Sequence, residues 1–342
     1  SHTTALSLKN IEKIKNSNFN EVYTAPHGQI TKELPLALTE LFRPPNIGKF
    51  SFDSLKKLLR STYKTLKTYK NGNNITIPDN GRITVIGDIH GQLADILLIL
   101  DEAGEPSPTN ILLFNGDFVD RGINGFEVIT LILSYFAAYP GCIYMNRGNH
   151  EDPFVCSNYG FQEEVTSKYD AIGFLLFAEI FKHIPLYSII NEKIFVVHGG
   201  LFHNIYTTIS DLEDIDRTDY EAVPVAKYPG SISNLDPKNQ NDSKIIRKEY
   251  LKQLQRDALW SDPRPDKGTY PNARGAGVTF GPDVTELFLK NNNLSMIIRS
   301  HECCRHGTEF PYDSRHDIDR YYEAEDAEVG RLSVNPFSSE CL

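Results

Sequence analysis

Five short apolar runs recur along the chain, and each ends at a glycine or at a polar side chain that can bind a metal. Their residues are mostly aliphatic or β-branched, which is typical of buried strands. The runs occupy residues 83–86, 111–114, 142–145, 194–197 and 296–298. Because buried strands of this kind end in loops along one edge of a sheet, we expect the polar residues that follow them to converge there.

Helical patterns lie between and around these runs. We predict helices over residues 53–69, 93–103, 127–138, 174–184 and 244–258. Strand, polar loop and helix therefore alternate, which predicts an α/β protein with layered architecture, in which helices flank the sheet.

The first predicted helix, over residues 53–69, has an apolar face and a basic remainder. Leu55, Leu59 and Leu66 fall on one face, and most of the lysines lie off it. A basic amphipathic helix of this kind is a candidate calmodulin target. A helix that leads into the first strand and keeps its lysines in water explains the same pattern, and we favour that interpretation.

Prolines and polar stretches divide the chain into one main domain and three other segments. Residues 1–50 are polar and irregular, and we predict an N-terminal extension there. Residues 213–243 are rich in Asp, Asn, Pro, Gly and Ser and predict a partly disordered insertion. The main domain is predicted over residues 51–306, followed by a polar C-terminal tail over 307–342 with no strand pattern.

Composition limits the partners and the location. The 342 residues include 35 Lys and Arg against 45 Asp and Glu, a formal charge of −10, and an acidic chain without a basic patch is a poor nucleic-acid binder. The longest apolar stretch, residues 128–139, is far below the ~20 residues that cross a bilayer, so no membrane span is predicted.

The five cysteines form no CxxC pair. We therefore expect reduced cysteines, including Cys303 and Cys304, and a cytoplasmic or nuclear location.

The polar segments after the apolar runs carry the candidate chemistry. They read Gly-Asp-Ile-His-Gly at residues 87–91, Gly-Asp-Phe-Val-Asp-Arg-Gly at 116–122, Arg-Gly-Asn-His-Glu at 147–151, His-Gly-Gly at 198–200 and Arg-Ser-His at 299–301. Asp, His and Asn side chains suit divalent ions such as Mn, Fe or Zn, and the set contains no thiolate ligand. Taken singly, such a segment could be a turn with a hydrogen-bonded histidine, but five of them at strand ends favour a metal site.

The same segments carry a family resemblance. The order GDIHGQ, GDFVDRG, RGNHE, HGG, WSDP, RG and RSHE over residues 83–302 resembles the phosphoprotein phosphatase family of serine/threonine phosphatases. NRGNHED at 146–152 and LWSDPR at 259–264 are similar to the EF-hand-containing, retinal-degeneration-C type. The resemblance implies that residues 51–306 form a catalytic domain with the calcineurin-like metallophosphoesterase fold, a β-sandwich flanked by helices.

The resemblance also implies a role for each matching residue. It implies two divalent metal ions, with Mn²⁺, Fe or Zn as candidates. The implied metal ligands are Asp88, His90, Asp117, Asn149, His198 and His301. The implied proton donor is His150, oriented by Asp120, and the implied phosphate-binding residues are Arg121, Arg274 and Asn149.

The chain departs from the family after Glu302. The family continues into further strands and a loop close to SAPNYC, and nothing similar follows here. We therefore expect exposed sheet edges and, with no strand after His301, weak binding of the second metal. No EF-hand loop of the DxDxDG type is present, so calcium regulation is not inferred.

Three functions fit the sequence. The favoured function is a metal-dependent protein serine/threonine phosphatase, which acts on phosphoprotein substrates by direct attack of a metal-bridging hydroxide. The alternatives are a metallophosphoesterase for nucleotide substrates and a non-catalytic or inhibitory isoform. The GDxVDRG, RGNHE and WSDP segments favour the protein-directed branch. Calmodulin or a regulatory subunit is a further partner hypothesis.

Overall fold

A computed structural model describes Tyr23, residues 29–219, 236–304 and 311–312, and the backbone of residues 331–335. The helices in this part of the chain are α1 (Glu33–Leu41), α2 (Phe52–Leu66), α3 (Leu93–Ala103), α4 (Gly125–Ala138), α5 (Pro153–Tyr159), α6 (Phe161–Lys168), α7 (Ala171–His183), α8 (Ile209–Glu213), α9 (Gln240–Trp260) and α10 (Pro282–Asn291). The strands are β1 (Gly72–Ile75), β2 (Arg82–Ile86), β3 (Asn110–Phe114), β4 (Ile143–Met145), β5 (Tyr187–Ile190), β6 (Ile194–Val197), β7 (Asp262–Pro263), β8 (Thr269–Pro271), β9 (Val278–Phe280), β10 (Met296–Arg299) and β11 (Arg331–Asn335).

Two four-stranded sheets form the centre of the fold. The first has the order β11-β2-β3-β4 and is parallel throughout. The second has the order β1-β5-β6-β10, in which only the β5–β6 pair is antiparallel. A small sheet of order β7-β9-β8 lies apart from both in the strand pairing. The five predicted strands are β2, β3, β4, β6 and β10, and all of them are confirmed.

Alternation along the strands places one set of side chains between the sheets and the other under helices. Val85 on β2 and Val196 on β6 belong to the same buried cluster, which joins the facing surfaces of the two sheets. Leu112 on β3 packs instead with the helices beside the first sheet, and Phe195 packs with the helices beside the second. Because alternate side chains of each strand point to opposite faces, the two sheets form a sandwich with helices on both outer faces, as predicted.

The N-terminal boundary predicted at residue 50 is wrong for the described residues. Helix α1 lies within the supposed extension and packs on α4. Leu34, Leu38 and Phe50 are fully or almost fully buried in the large helical core. The sequence pattern hid this because α1 is short and contains Pro35, which is tolerated in a first helical turn.

Helix α2 confirms the predicted helix, but its apolar face is not available to a partner. Leu55, Leu59 and Leu66 are buried, and α2 packs against α4 and α7. Ser51 caps its first turn by accepting a hydrogen bond from the backbone N–H of Ser54 at 3.2 Å. A calmodulin target would have to expose this apolar face to its partner. Because the face is buried here, the helix is a core element in this fold.

Both described ends of the predicted insertion are ordered. Residue 213 ends α8 and residues 214–219 follow it, while residues 240–243 begin α9, which starts earlier than predicted. The side chain of Arg217 is only 8% exposed and donates to the carbonyl oxygens of Tyr69 at 2.7 Å and His183 at 3.2 Å. Residues 220–235 lie outside the described residues.

The tail contributes a strand, contrary to the prediction for residues 307–342. Strand β11 pairs in parallel with β2 along its whole length, from Arg331 opposite Arg82 to Asn335 opposite Ile86. The sequence did not predict this strand, because a five-residue strand can form by pairing with a neighbouring edge strand without a strong pattern of its own. β2 is therefore an interior strand rather than an exposed edge.

Two further expectations concern cysteines and membranes. Cys303 takes part in a disulfide, so the prediction that it is reduced is wrong. The Cys304 thiol donates to the carbonyl oxygen of Glu302 at 3.7 Å. Cys142 and Cys156 are free and buried. Among the described helices, none combines the length and the apolarity needed to cross a bilayer.

Replacement of Arg217 by Met should destabilise the protein by about 2–4 kcal/mol, because buried carbonyl oxygens lose their donor. Arg247→Met is the matched control, since Arg247 pairs with Asp211 and Asp214 at the surface with 42% of its side chain exposed. The control should cost less than about 1 kcal/mol. Urea unfolding measures both, and equal losses would show that Arg217 does not anchor residues 213–219.

Candidate active site

The loops that follow β2, β3, β4, β6 and β10 meet at one edge of the sandwich. They bring together eight of the ten predicted site residues, each at most 4% exposed: Asp88, His90, Asp117, Asp120, Asn149, His150, His198 and His301. The first six follow strands of the first sheet, and the last two follow strands of the second. The expected convergence of the strand ends is therefore present.

Asp117 lies at the centre of this group. Its Oδ2 is 3.4 Å from Nε2 of His90 and 3.3 Å from Nε2 of His198. The Oδ1 of Asn149 is 2.9 Å from the same His198 nitrogen. The donor atoms form two groups that share Asp117, one with His90 and His150 and one with His198 and His301, and within each group they lie within 4.8 Å of one another.

Backbone carbonyls orient two of the histidines. Nδ1 of His90 donates to the carbonyl of Val119 at 2.8 Å, and Nδ1 of His198 donates to the carbonyl of Asn115 at 2.9 Å. With Nδ1 used in this way, Nε2 is the nitrogen that remains to face the centre, as in metal-binding histidines.

The charges of the pocket favour a cation. Burial opposes ionisation of His198, but the carboxylates of Asp117 and Asp88 outweigh it and raise the pKa of His198 to about 9. Burial and the neighbouring His198 instead hold the pKa of His301 well below its usual value. Asp88 Oδ2 and His301 Nε2 are buried without a hydrogen-bond partner in the described part of the chain. Because such atoms are costly to leave unpaired, the donor set fits bound metal ions.

The backbone around these side chains is strained. His90, Asp117 and His301 have φ angles of 46°, 54° and 74°, in the left-handed region that non-glycine residues seldom occupy. A close approach also requires glycine at one point, because a Cβ on Gly148 would lie 2.2 Å from Oδ1 of Asp117. Such strain persists only where the surrounding contacts hold it.

Glu151 supplies contacts of this kind, in a role that its sequence did not predict. Its carboxylate accepts hydrogen bonds from the backbone N–H groups of Asp117 at 2.7 Å, Phe118 at 2.8 Å and Gly148 at 2.8 Å. The side chain is fully buried. Burial, with the charge of Asp117, raises the pKa of Glu151 to about 7. The sequence signal that could have indicated this role is its position at the end of the Arg-Gly-Asn-His-Glu segment.

His150 and Asp120 form a buried pair next to the centre. Nδ1 of His150 lies 2.7 Å from Oδ2 of Asp120. The other carboxylate oxygen of Asp120 accepts the backbone N–H of Phe161 at 3.0 Å, which holds the carboxylate in place. The ring of Tyr159 packs edge-on against His150 with centroids 5.1 Å apart, a contact that the sequence did not predict.

The two predicted arginines lie at the mouth of the site rather than in its centre. The guanidinium of Arg121 lies 6.0 Å from the centroid of the Tyr159 ring. Arg274 donates through Nε to Asp262 at 2.7 Å and through Nη2 to the carbonyl of His301 at 3.2 Å, with 34% of its side chain exposed. Asp262, in the Trp-Ser-Asp-Pro segment, is a site residue that the sequence did not predict.

His301 is better supported than the sequence suggested. β10 runs directly into it and pairs with β6, which runs into His198. The backbone N–H of His301 donates to Oδ1 of Asp88 at 3.2 Å, across from one sheet to the other. These contacts tie His301 to both sheets.

Glu151→Gln should weaken Mn²⁺ binding by roughly 10–100-fold, the usual cost of losing a residue that orients a metal ligand. An amide has one acceptor oxygen and would turn its NH₂ group toward backbone donors. Titration calorimetry on metal-free protein measures the affinity. Glu164→Gln is the control, since Glu164 accepts the backbone N–H of Phe126 away from the centre. Equal affinity in both variants would contradict a role for Glu151 in holding Asp117.

Comparisons with known proteins place this site in a family. Residues 81–305 match the family described as calcineurin-like phosphoesterase. The chain is 38% identical over 282 residues to serine/threonine-protein phosphatase rdgC of Drosophila melanogaster, covering 81% of this chain and 40% of the relative. It is 37% identical over 290 residues to serine/threonine-protein phosphatase with EF-hands 1 of Mus musculus, covering 78% and 44%.

A solved structure agrees with these matches. The fold resembles a protein serine/threonine phosphatase from Saccharomyces cerevisiae, described as similar to human phosphatase PP5, with a TM-score of 0.64 and 32% identity. The alignment covers 76% of this chain and 74% of that structure. The chain spans less than half the length of the fly and mouse relatives. On these matches, the chain belongs to the calcineurin-like phosphoesterase family, in the branch of the serine/threonine protein phosphatases.

Proposed function

We propose that the chain is a metal-dependent protein serine/threonine phosphatase that hydrolyses phosphoserine and phosphothreonine in phosphoprotein substrates. The observation that carries this proposal is the arrangement of two groups of metal-type donors around Asp117, with the His150–Asp120 pair beside them. Membership in the phosphatase branch supports the protein substrate class.

The family uses a dinuclear metal centre, and the donor set provides for it. Asp88, His90 and Asp117 would hold one ion. The second ion would be held by Asp117, Asn149, His198 and His301. Bound divalent ions would neutralise phosphate charge and lower the pKa of water so that it attacks phosphorus directly. Mn²⁺ is the ion to test first, with Fe and Zn as alternatives suited to the same donors.

The remaining residues act on the substrate around this centre. A ring nitrogen of His150 lies within 4.8 Å of the donor atoms of His90 and Asp117, close to where a phosphate would sit. His150 would donate a proton to the departing serine or threonine oxygen, while Asp120 keeps the ring oriented. Arg121 and Arg274 would bind phosphate oxygens from the mouth of the site, and Asn149 would do so from its floor.

Positive charge within the site recruits the substrate in this proposal, because the whole chain carries a formal charge of −10 and would repel a phosphate group.

The hypothesis of a non-catalytic isoform rested on missing strands, and the structure weakens it. Strand β11 pairs with β2 in the first sheet, and β10 pairs with β6 in the second and leads into His301. Each sheet therefore has four strands, and strands of both sheets lead into the site.

The proposal is tested by hydrolysis of a phosphoserine peptide with added Mn²⁺ and with a chelator. Activity should require the metal, and Asp88→Asn should lower it by about 1,000-fold, because removing a carboxylate ligand removes several kcal/mol of charge stabilisation. Asp101→Asn, at a carboxylate with 59% of its side chain exposed, is the matched control and should retain full activity. Metal-independent activity, or a clear preference for nucleotide substrates, would contradict the proposal.

Asp120→Asn tests the proton donor. It should lower kcat on the phosphoserine peptide by ~100-fold, since general acid catalysis contributes at least that much to expulsion of an alkoxide. The loss should be much smaller with p-nitrophenyl phosphate, whose phenolate leaves without a proton. Steady-state kinetics on both substrates measures the difference. Equal losses would assign Asp120 a purely structural role.

A further inference from the structure

A layer of polar side chains is buried between the two sheets, directly behind the active-site loops. It consists of Asn73 on β1, Asn115 after β3, Asn146 after β4 and Ser188 on β5, none more than 6% exposed. The cluster of aliphatic side chains that joins the sheets lies next to this layer along the same strands. Buried amides are costly unless they are hydrogen-bonded, so the partners of each one define what the layer does.

Asn115 connects the first sheet to both ligand-bearing strands of the second. Its Nδ2 donates to the carbonyl of Val197 at 2.9 Å and to Oγ of Ser300 at 2.9 Å. Val197 immediately precedes His198, and Ser300 immediately precedes His301. The backbone of Asn115 takes part as well, because its carbonyl accepts Nδ1 of His198 at 2.9 Å.

Asn146 holds Asn115 and adds a second bond across the sheets. Its Nδ2 donates to Oδ1 of Asn115 at 2.9 Å and to the carbonyl of Val196 at 3.2 Å. Its Oδ1 accepts Oγ of Ser188 at 2.7 Å, and Nδ2 of Asn73 lies 3.4 Å from the same oxygen. Every polar atom of the two amide side chains is therefore bonded.

The backbone of both asparagines continues the strand ladder of the first sheet. The N–H of Asn115 donates to the carbonyl of Ile86, and the N–H of Asn146 donates to the carbonyl of Phe114, each at 2.8 Å. Neither residue can shift without the strand that carries it. The amide groups are thus fixed to one sheet and hydrogen-bonded to the other.

Apolar contact alone would not set the register between the sheets to the precision that a metal site needs. Burial of aliphatic surface is non-directional, whereas a satisfied buried network selects one arrangement. The ligands divide between the sheets, with Asp88 and Asp117 on the first and His198 and His301 on the second. Sliding of one sheet on the other would separate these two sets.

We propose that Asn115 and Asn146 are positioning residues, which hold His198 and His301 of the second sheet in register with Asp117 of the first. The inference rests on the proposed two-metal function. It predicts that loss of the amide layer weakens the ion bound by Asp117, Asn149, His198 and His301. The ion held by Asp88, His90 and Asp117 should be affected less, because those residues all follow strands of the first sheet.

Titration calorimetry of metal-free protein with Mn²⁺ tests this inference, using Asn115→Leu and a control at another buried asparagine. Asn71→Leu is the control, since the Asn71 amide is 6% exposed and donates to the carbonyls of Leu212 at 2.9 Å and Ile215 at 2.6 Å, away from the ligand loops. Both variants should lower the urea midpoint. Only Asn115→Leu should weaken one of the two Mn²⁺ sites, by roughly 10–100-fold.

Ser300→Ala is a milder variant in case Asn115→Leu does not fold. It removes one acceptor of the Asn115 amide and should weaken the same Mn²⁺ site by a smaller factor. Two wild-type-like Mn²⁺ sites in folded Asn115→Leu, or in Ser300→Ala if the first variant is unfolded, would overturn the inference. Fewer than two sites in the wild-type protein would instead overturn the proposed function on which it rests.

Discussion

Burial of the Asp117 carboxylate between two sheets is the constraint on which the rest of the site depends. The side chain is 1% exposed and has Asp88 and three histidines around it. Although burial works against ionisation, the charges of His198, His150 and His90 hold the pKa of Asp117 well below its usual value. A buried carboxylate of this kind must be paired or must bind metal. The surrounding residues can be understood as meeting that requirement.

The requirement is met partly through unusual backbone geometry. Asp117 itself has a φ of 54°, and its N–H points at the Glu151 carboxylate. Gly148 allows the neighbouring loop to approach Asp117 more closely than any side chain would permit. These features cost conformational energy that the adjoining hydrogen bonds offset. The shape of the site is therefore held by hydrogen bonds and close contacts of the protein itself.

The two sheets make unequal contributions. The first sheet supplies Asp88, His90, Asp117, Asn149 and His150, and the second supplies His198 and His301. Contacts that cross between them include the bond from the His301 N–H to Asp88 and the amide layer around Asn115. Pairing of β11 with β2 completes the first sheet on the side away from β3. The tail therefore supports the sheet that carries most of the site.

The sequence by itself determined the five strands that lead into the site, five of the described helices and the residue types at the strand ends. Apolar runs and metal-type side chains are local signals, and β2, β3, β4, β6 and β10 were predictable from them. It did not reveal α1, the anchoring of Arg217, β11, or the supporting roles of Glu151, Asn115 and Asn146. Each of these depends on a partner far away in the chain, such as the pairing of β11 with β2 or the bond from Arg217 to Tyr69. Only the tertiary structure decided them, because a side chain's hydrogen-bond partners across a packed interface leave no periodic trace in the residues around it.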